Sequence, residues 1–266
     1  MAEPLGTGYG KEAVSVYRTD GVRSLFACEV GMTVRGEAFT PSYTEGDNTL
    51  VVATDSMKNF LHVTALDYEG SALEPFLELV ARRFLDTYGH VERIELHARE
   101  LPFARRTERS FHLLGGDRGV AELALDRSGA ASRRSGRVDI RLMKLTGSSF
   151  AGFVRDEYTT LPDSHDRPLS VHLDVHWRGD PDAPTPSEDV RDAVAETFAE
   201  FDSASIQELA HEMGARLLAG FPELEEVSFV AENRLWDTAQ VSGRERVRVY
   251  TDPRPPYGRI ELTLGR

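Results

Sequence analysis

Several polar residues stand where pattern alone gives no reason for them: Lys11, Thr54, Asp55, Arg167, Gln207 and Asn233. Lys11 lies at the entry to the first strand signal, and an amine placed out of water can act as a base. Thr54 and Asp55 follow the apolar run Leu50-Val51-Val52-Ala53 and open a helix-like segment with Lys58 and Asn59. Arg167 precedes the cleanest strand of the chain, and a guanidinium is a fork suited to planar acceptors. Gln207 falls in the first turn of a helix, where free N–H groups add donors, and its amide offers a donor and an acceptor. Asn233 closes a strand. Singly, each reads as a cap or a surface residue. His172, Asp174 and His176 share one strand face, but steps of ~7 Å, twice a rise of ~3.3 Å, suit one metal ion poorly, and a polar sheet face is the simpler reading. The motifs H-E-x-x-H, G-x-S-x-G, G-x-x-x-x-G-K-[ST] and G-x-G-x-x-G do not occur. Gly6-Thr7-Gly8-Tyr9-Gly10 precedes a weak strand rather than a helix, so no cofactor site follows from pattern.

Positioning these residues falls to two halves of similar plan. In the first, Phe26, Cys28, Val30, Met32 and Val34 alternate over 25–35, with 14–18 a weaker partner strand. Ser71 and Glu74 read as a capping box for a helix carrying Phe76, Leu77, Val80, Phe84 and Tyr88, and alternation returns over 91–97. The second half repeats the order. Val138, Ile140 and Leu142 alternate, then Leu169, Val171, Leu173, Val175 and Trp177. Two helices follow over 188–200 and 205–219, opened by Ser187 and by Ser203 or Ser205. Strands near 225–231 and 246–250 precede Ile260, Leu262 and Leu264. The expected class is α+β, two tandem repeats of antiparallel sheet with helices on one face, spanning 1–136 and 137–266. The stretch 127–137, RSGAASRRSGR, reads as a solvated basic hairpin loop or link. Open sheets leave edges that invite pairing, so a homo-oligomeric barrel with sites between subunits is expected.

The 266 residues carry 31 basic and 44 acidic side chains, a net charge of −13. That balance argues against nucleic acid and against anionic membrane as partners. No apolar run approaches the ~18 residues of a membrane span. Met1 to Val14 reads unlike a signal peptide. With Cys28 the single cysteine, neither an intrachain disulfide nor a cysteine-based metal cage can form, and a reducing cytoplasm is the expected compartment.

The chain resembles the urate oxidase (uricase) family of tandem tunnelling-fold (T-fold) enzymes. The matching stretches are Tyr9-Gly10-Lys11-Glu12, Glu45-Gly46-Asp47-Asn48, Val52 to Asn59, Phe84 to Val91, and the specific run Thr146 to Pro162, TGSSFAGFVRDEYTTLP. Asp166-Arg167, Ser203 to Gln207 and Tyr257 to Glu261 continue it in order. The resemblance implies a homotetramer enclosing a tunnel, and cofactor-free oxidation of urate, or a close purine analogue, by O2 to a 5-hydroxyisourate-type product and hydrogen peroxide. It implies that Phe150 stacks on the substrate ring, and that Arg167 and Gln207 clamp opposite edges. Ile206 adds a backbone contact, and Leu161 and Ile260 line the wall. Lys11 and Thr54 form a proton relay from the neighbouring subunit, Thr54 and Asn233 hold O2 or water, and Asp55 joins the substrate-binding set. An electron-rich urate anion can reduce O2 unaided, which leaves the protein to orient the ring and move protons.

One position departs. The family's Asn-Lys-His motif reads Asn233-Arg234-Leu235-Trp236 here, with leucine in the place of the relay histidine. Leucine cannot transfer a proton, and loss of one general acid or base costs ~10²–10⁴-fold in rate. Three readings stand: a urate oxidase in which Lys11, Thr54 and water suffice; a relative acting on a different purine- or pteridine-like ring, as in secondary metabolism; and a non-catalytic ring-binding protein. Retention of Lys11, Thr54, Arg167, Gln207 and Asn233 counts against the third.

Overall fold

A computed structural model of the chain describes residues 6–21, 24–181, 183–243 and 247–266. The chain divides into two compact units, Met1–Ser135 and Gly136–Arg266. In the first, β1 (Gly8–Asp20) and β2 (Ser24–Arg35) pair antiparallel. A short α1 (Thr40–Thr44) leads to α2 (Thr54–Leu66) and α3 (Leu73–Thr87). Then come β3 (Arg93–Glu100), a small hairpin of β4 (Phe103–Thr107) and β5 (Ser110–Leu113), and β6 (Arg118–Asp126). β2 pairs with β3 and β3 with β6, all antiparallel.

The second unit repeats the plan. β7 (Ala131–Lys144) carries the chain across the boundary and is followed by β8 (Leu169–Gly179), α4 (Ser187–Glu200) and α5 (Ile206–Gly220). β9 (Leu224–Asn233), a small hairpin of β10 (Asp237–Val241) and β11 (Arg248–Thr251), and β12 (Gly258–Gly265) complete it. β9 lies between β8 and β12, again antiparallel. Arg246, in the expected strand near 246–250, lies outside the described residues. Both α4 and α5 begin 133 residues after α2 and α3 (187 less 54, 206 less 73).

Each sheet buries one face. Phe26, Cys28, Val30, Met32 and Val34 of β2 meet Phe76, Leu77, Val80 and Phe84 of α3 in the first core. Leu169, Val171, Leu173, Val175 and Trp177 of β8 meet Leu209, Met213 and Leu217 of α5 in the second. Each such side chain contributes about 1.5–3 kcal/mol on burial. The intervening polar residues, His172, Asp174 and His176 among them, take the other face and are only half-buried.

Three local expectations fail. Ser71 does not cap α3: the helix opens from Ala72, in extended conformation, with no side-chain cap, and the Tyr68 hydroxyl donates to the Ala72 carbonyl instead. Ser187 is the first residue of α4 rather than its cap; its hydroxyl accepts from Arg137. Ser205 does cap α5, accepting from the Glu208 N–H at 3.0 Å, whereas Ser203 is buried in a bridge to Ser148. The stretch 127–137 does form an exposed hairpin turn at 127–130 and holds the boundary of the two units, but it is not solvated throughout, because three of its arginines find partners. Arg133 reaches Glu78 at 3.1 Å, and Arg137 is 4% exposed. Arg127 donates to the carbonyls of Leu85, in the last turn of α3, and of Tyr88 and Val91 beyond it. In the second unit Arg266 does the same for Leu218, Phe221 and Leu224, past α5. Each unit thus closes its last helix with an arginine sent back from the end of a strand, satisfying carbonyls the helix leaves free. Arg127→Ala is expected to lower the stability of the first unit by about 1 kcal/mol, read as a shift in the urea midpoint at unchanged slope.

Candidate functional site

In the second unit the loop between β7 and β8, residues 145–168, is held by its own main chain. The Ser149 N–H donates to the Ser203 carbonyl at 2.8 Å, and the Ser203 N–H to Gly147 at 3.1 Å. The Arg167 N–H donates to Ser148 at 2.9 Å. Phe150 and Ser164 exchange two bonds, at 2.7 and 2.9 Å. Ser148 to Phe150 therefore ties three places together: the ring of Phe150, the base of Arg167, and Ser203, three residues before Ile206 and four before Gln207. Gly147 is at φ +78°, a left-handed conformation that glycine adopts at no steric cost, and a Cβ there would also displace the Asp202 carboxylate.

Two of the candidate side chains meet on this loop. The Arg167 guanidinium lies 5.6 Å over the centre of the Phe150 ring. Burial alone pulls its pKa down from the ordinary arginine value, and no carboxylate of the described residues pairs with it. Its Nε and the Oδ1 of Asn233 are both buried with no hydrogen-bond partner. An unmatched buried donor or acceptor costs free energy until something fills it. Asn233 lies opposite Val171 of β8 and opposite Gly258 of β12, with Ile260 two residues further along β12. Ile206 is buried in the core and Gln207 exposed at the start of α5. Leu161, on the same loop, is 45% exposed and is not drawn against these residues.

Lys11, Thr54 and Asp55 belong to the first unit. Thr54 and Asp55 open α2. Asp55 accepts from Lys58 at 2.6 Å and Asn59 at 3.0 Å; its carboxyl is held below the usual range chiefly by Lys58, with a smaller pull from the Lys11 charge. The Tyr9 hydroxyl, on β1 two residues before Lys11, accepts from the Val52 N–H at 2.7 Å and so fastens the strand of Lys11 to the approach to Thr54. Past Lys11 the strand register shifts, and Ala13 adopts a left-handed φ of 56°, at a cost of roughly 1–2 kcal/mol. The second unit holds a counterpart: Arg137 on its first strand, Asp139 two residues on at φ 63°, and Ser187 and Glu188 opening its first helix. There the contact is direct, Arg137 to Ser187 Oγ at 3.0 Å and to Glu188 at 3.8 Å.

Among the described residues no group of three or more His, Cys, Asp and Glu is placed to hold a metal, His172, Asp174 and His176 included. Leu235 packs against the apolar core of the second unit. The sequence marks Ser203 as a candidate cap and Ser148 and Asp166 only as members of matching stretches, whereas in the fold all three support the loop: Ser148 and Ser203 through main-chain bonds, and Asp166 by accepting from the Thr146 hydroxyl at 2.7 Å and the Gly147 N–H at 2.9 Å. Adjacency to Arg167 was the one available signal for Asp166.

Two antiparallel α+β repeats, with a cation and an aromatic ring on the loop before the second strand of the second repeat, define a tandem T-fold protein. The Uricase family model matches residues 7–122 and 133–261. The chain is 39% identical to the "Uricase" of Halalkalicoccus jeotgali over 97% of both chains. It is 41% identical to the "Uric acid degradation bifunctional protein PucL" of Bacillus subtilis over 97% of its own length. It spans only about 60% of that relative, and 58% of a second bifunctional relative from Bacillus sp. TB-90. A solved uricase from Bacillus fastidious superposes with a TM-score of 0.92 at 35% identity, covering 99% of this chain and 94% of that one. One from Arthrobacter globiformis superposes with a TM-score of 0.89 at 27% identity, covering 100% of this chain and 96% of that one. The chain belongs to the uricase family.

Asp166 gives the loop a pH dependence. Its carboxyl is held below the usual range, first by the Thr146 hydroxyl and then by the Gly147 N–H. A depressed folded pKa contributes stability above the unfolded value of ~3.9, and that contribution is lost as pH falls through the lower folded value. Hydrogen exchange at Gly147 and Arg167 is expected to rise below about pH 4, relative to the intrinsic rate, and Asp166→Ala is expected to show the same loosening, about 10-fold, at neutral pH.

Proposed function

We propose that this protein oxidises urate with O2, giving a 5-hydroxyisourate-type product and hydrogen peroxide without a cofactor. The observation that carries this is the half-buried guanidinium of Arg167, set over Phe150 with no carboxylate partner, which is a seat for a flat anion. Urate is such an anion, and the relatives named uricase share nearly the whole chain. In this reading Phe150 stacks on the ring, Arg167 takes one edge and Gln207 the other. The Ile206 backbone contributes a further bond, and Leu161 and Ile260 wall the ring in. The buried, unmatched Oδ1 of Asn233 accepts from a water at the ring, with O2 held beside it by the Asn233 amide and Thr54.

The electrons balance without a metal. Two pass from the urate anion to O2, which takes up two protons to become peroxide, and the oxidised ring adds water at the carbon that lost them. Lys11 moves protons through Thr54, with Asp55 beside them; a second copy of the chain supplies these three residues in a homotetramer. Leu235, turned onto the core, takes no part, and water stands where the family's histidine would act. A single cysteine suits work in a reducing cytoplasm.

Purified protein given urate is expected to consume O2 and release peroxide one for one with the loss of ring absorbance. Binding without oxygen uptake would make it a ring-binding protein, and uptake only with another purine or pteridine would make it a divergent relative. Lys11→Met is expected to lower kcat by about 10²–10⁴-fold with KM changed by less than about threefold. Leu235→His is expected to change urate turnover by less than ~10-fold, as befits a site that already runs on water; a gain of orders of magnitude would show the wild type unsuited to urate.

A further inference from the structure

Phe150 is not alone. The Phe153 ring stacks on it with centroids 4.9 Å apart and planes 10° from parallel. The Arg155 guanidinium lies 4.9 Å over the centre of Phe153, so four groups contact in sequence: Arg155, Phe153, Phe150, Arg167. The chain turns back on itself through Gly152, at φ +73°, a conformation that glycine adopts at no steric cost. Asp163 locks the turn. It pairs with Arg155 at 3.0 Å and accepts from the Gly152 N–H at 3.1 Å, next to Ser164, whose backbone is bonded to Phe150.

We propose that Phe153 is a positioning residue for the ligand: it covers one face of Phe150 and fixes the tilt of that ring, so that one flat heterocycle stacks on the other face with the Arg167 guanidinium at its edge. The proposal rests on the reading of Phe150 as the stacking residue. Without Phe153 the Phe150 ring can rotate about its side-chain bonds, and a ligand must pay to hold it. Offset aromatic pairs contribute beyond their buried area, and a preorganised platform transmits that gain to binding. Arg155 and Asp163 act one step further out, holding Phe153 rather than the ligand.

The test compares wild type, Phe153→Leu and Phe153→Tyr, with thermal unfolding measured on each. Affinity for urate is measured by calorimetry without oxygen, alongside steady-state turnover in air, and crystals of each variant report the Phe150 ring. Phe153→Leu is expected to weaken urate binding and raise KM about 3–10-fold, leave kcat and its pH profile within twofold, and displace the Phe150 ring. Phe153→Tyr, which keeps the stack, restores KM and the ring position. Unchanged or tighter urate binding in Phe153→Leu, or an undisplaced Phe150 ring, overturns the proposal; tighter binding would mean that Phe153 fills the ligand's own place. Absence of urate turnover by wild type counts against the proposed function, while the ring position in Phe153→Leu still decides the platform.

Discussion

Three residues of main chain, Ser148 to Phe150, hold the long loop of the second unit together. Their amide and carbonyl groups bind the backbone of Arg167, Ser203 and Ser164. A ring, a cation and a helix start that lie far apart in sequence are thereby set within one hydrogen-bonded frame. Side-chain chemistry alone could not do this, because Phe150 and Arg167 are carried by a loop rather than by a regular element. The frame replaces the rigidity that a strand or helix would supply, and the carboxylate of Asp166 and the glycine at 147 are its local requirements.

That frame holds a group in an unfavourable setting. Arg167 is partly withdrawn from water with no opposite charge to answer it, and Asn233 keeps a buried oxygen unmatched. Stability elsewhere tolerates this: two separate apolar cores, each closed by an arginine returning to the end of its unit's last helix. The arrangement fits a site whose polar groups are satisfied by a ligand rather than by the fold.

Much of this was legible in the residues. Alternation in 25–35 and 169–177 and the apolar stripes of the helices mark the elements on both sides of each core, and the run from Thr146 to Pro162 marks the family. Other parts were hidden for physical reasons. β6 contains Ala121-Glu122-Leu123-Ala124-Leu125, good helix formers that become strand only because β3 offers a ladder. β10 is exposed along its whole length, so no burial alternation marks it. The arginines of 127–137 look like solvent ions until the fold brings Glu78, the end of α3 and Ser187 to them. Bonds between main-chain atoms, such as Ser149 to Ser203, leave no trace in residue identity.

The duplicated plan puts a basic residue at matching points of both units, Lys11 in one and Arg137 in the other, each two residues before a left-handed position. Arginine cannot release its proton in a protein, and here it is fastened to Ser187. At this pair of matching points only the first unit therefore carries a side chain of a type that can give up a proton. The repeat of backbone plan thus stops short of side-chain chemistry: the same bend in the first strand is kept in both halves, while the residue ahead of it differs in what it can do with a proton.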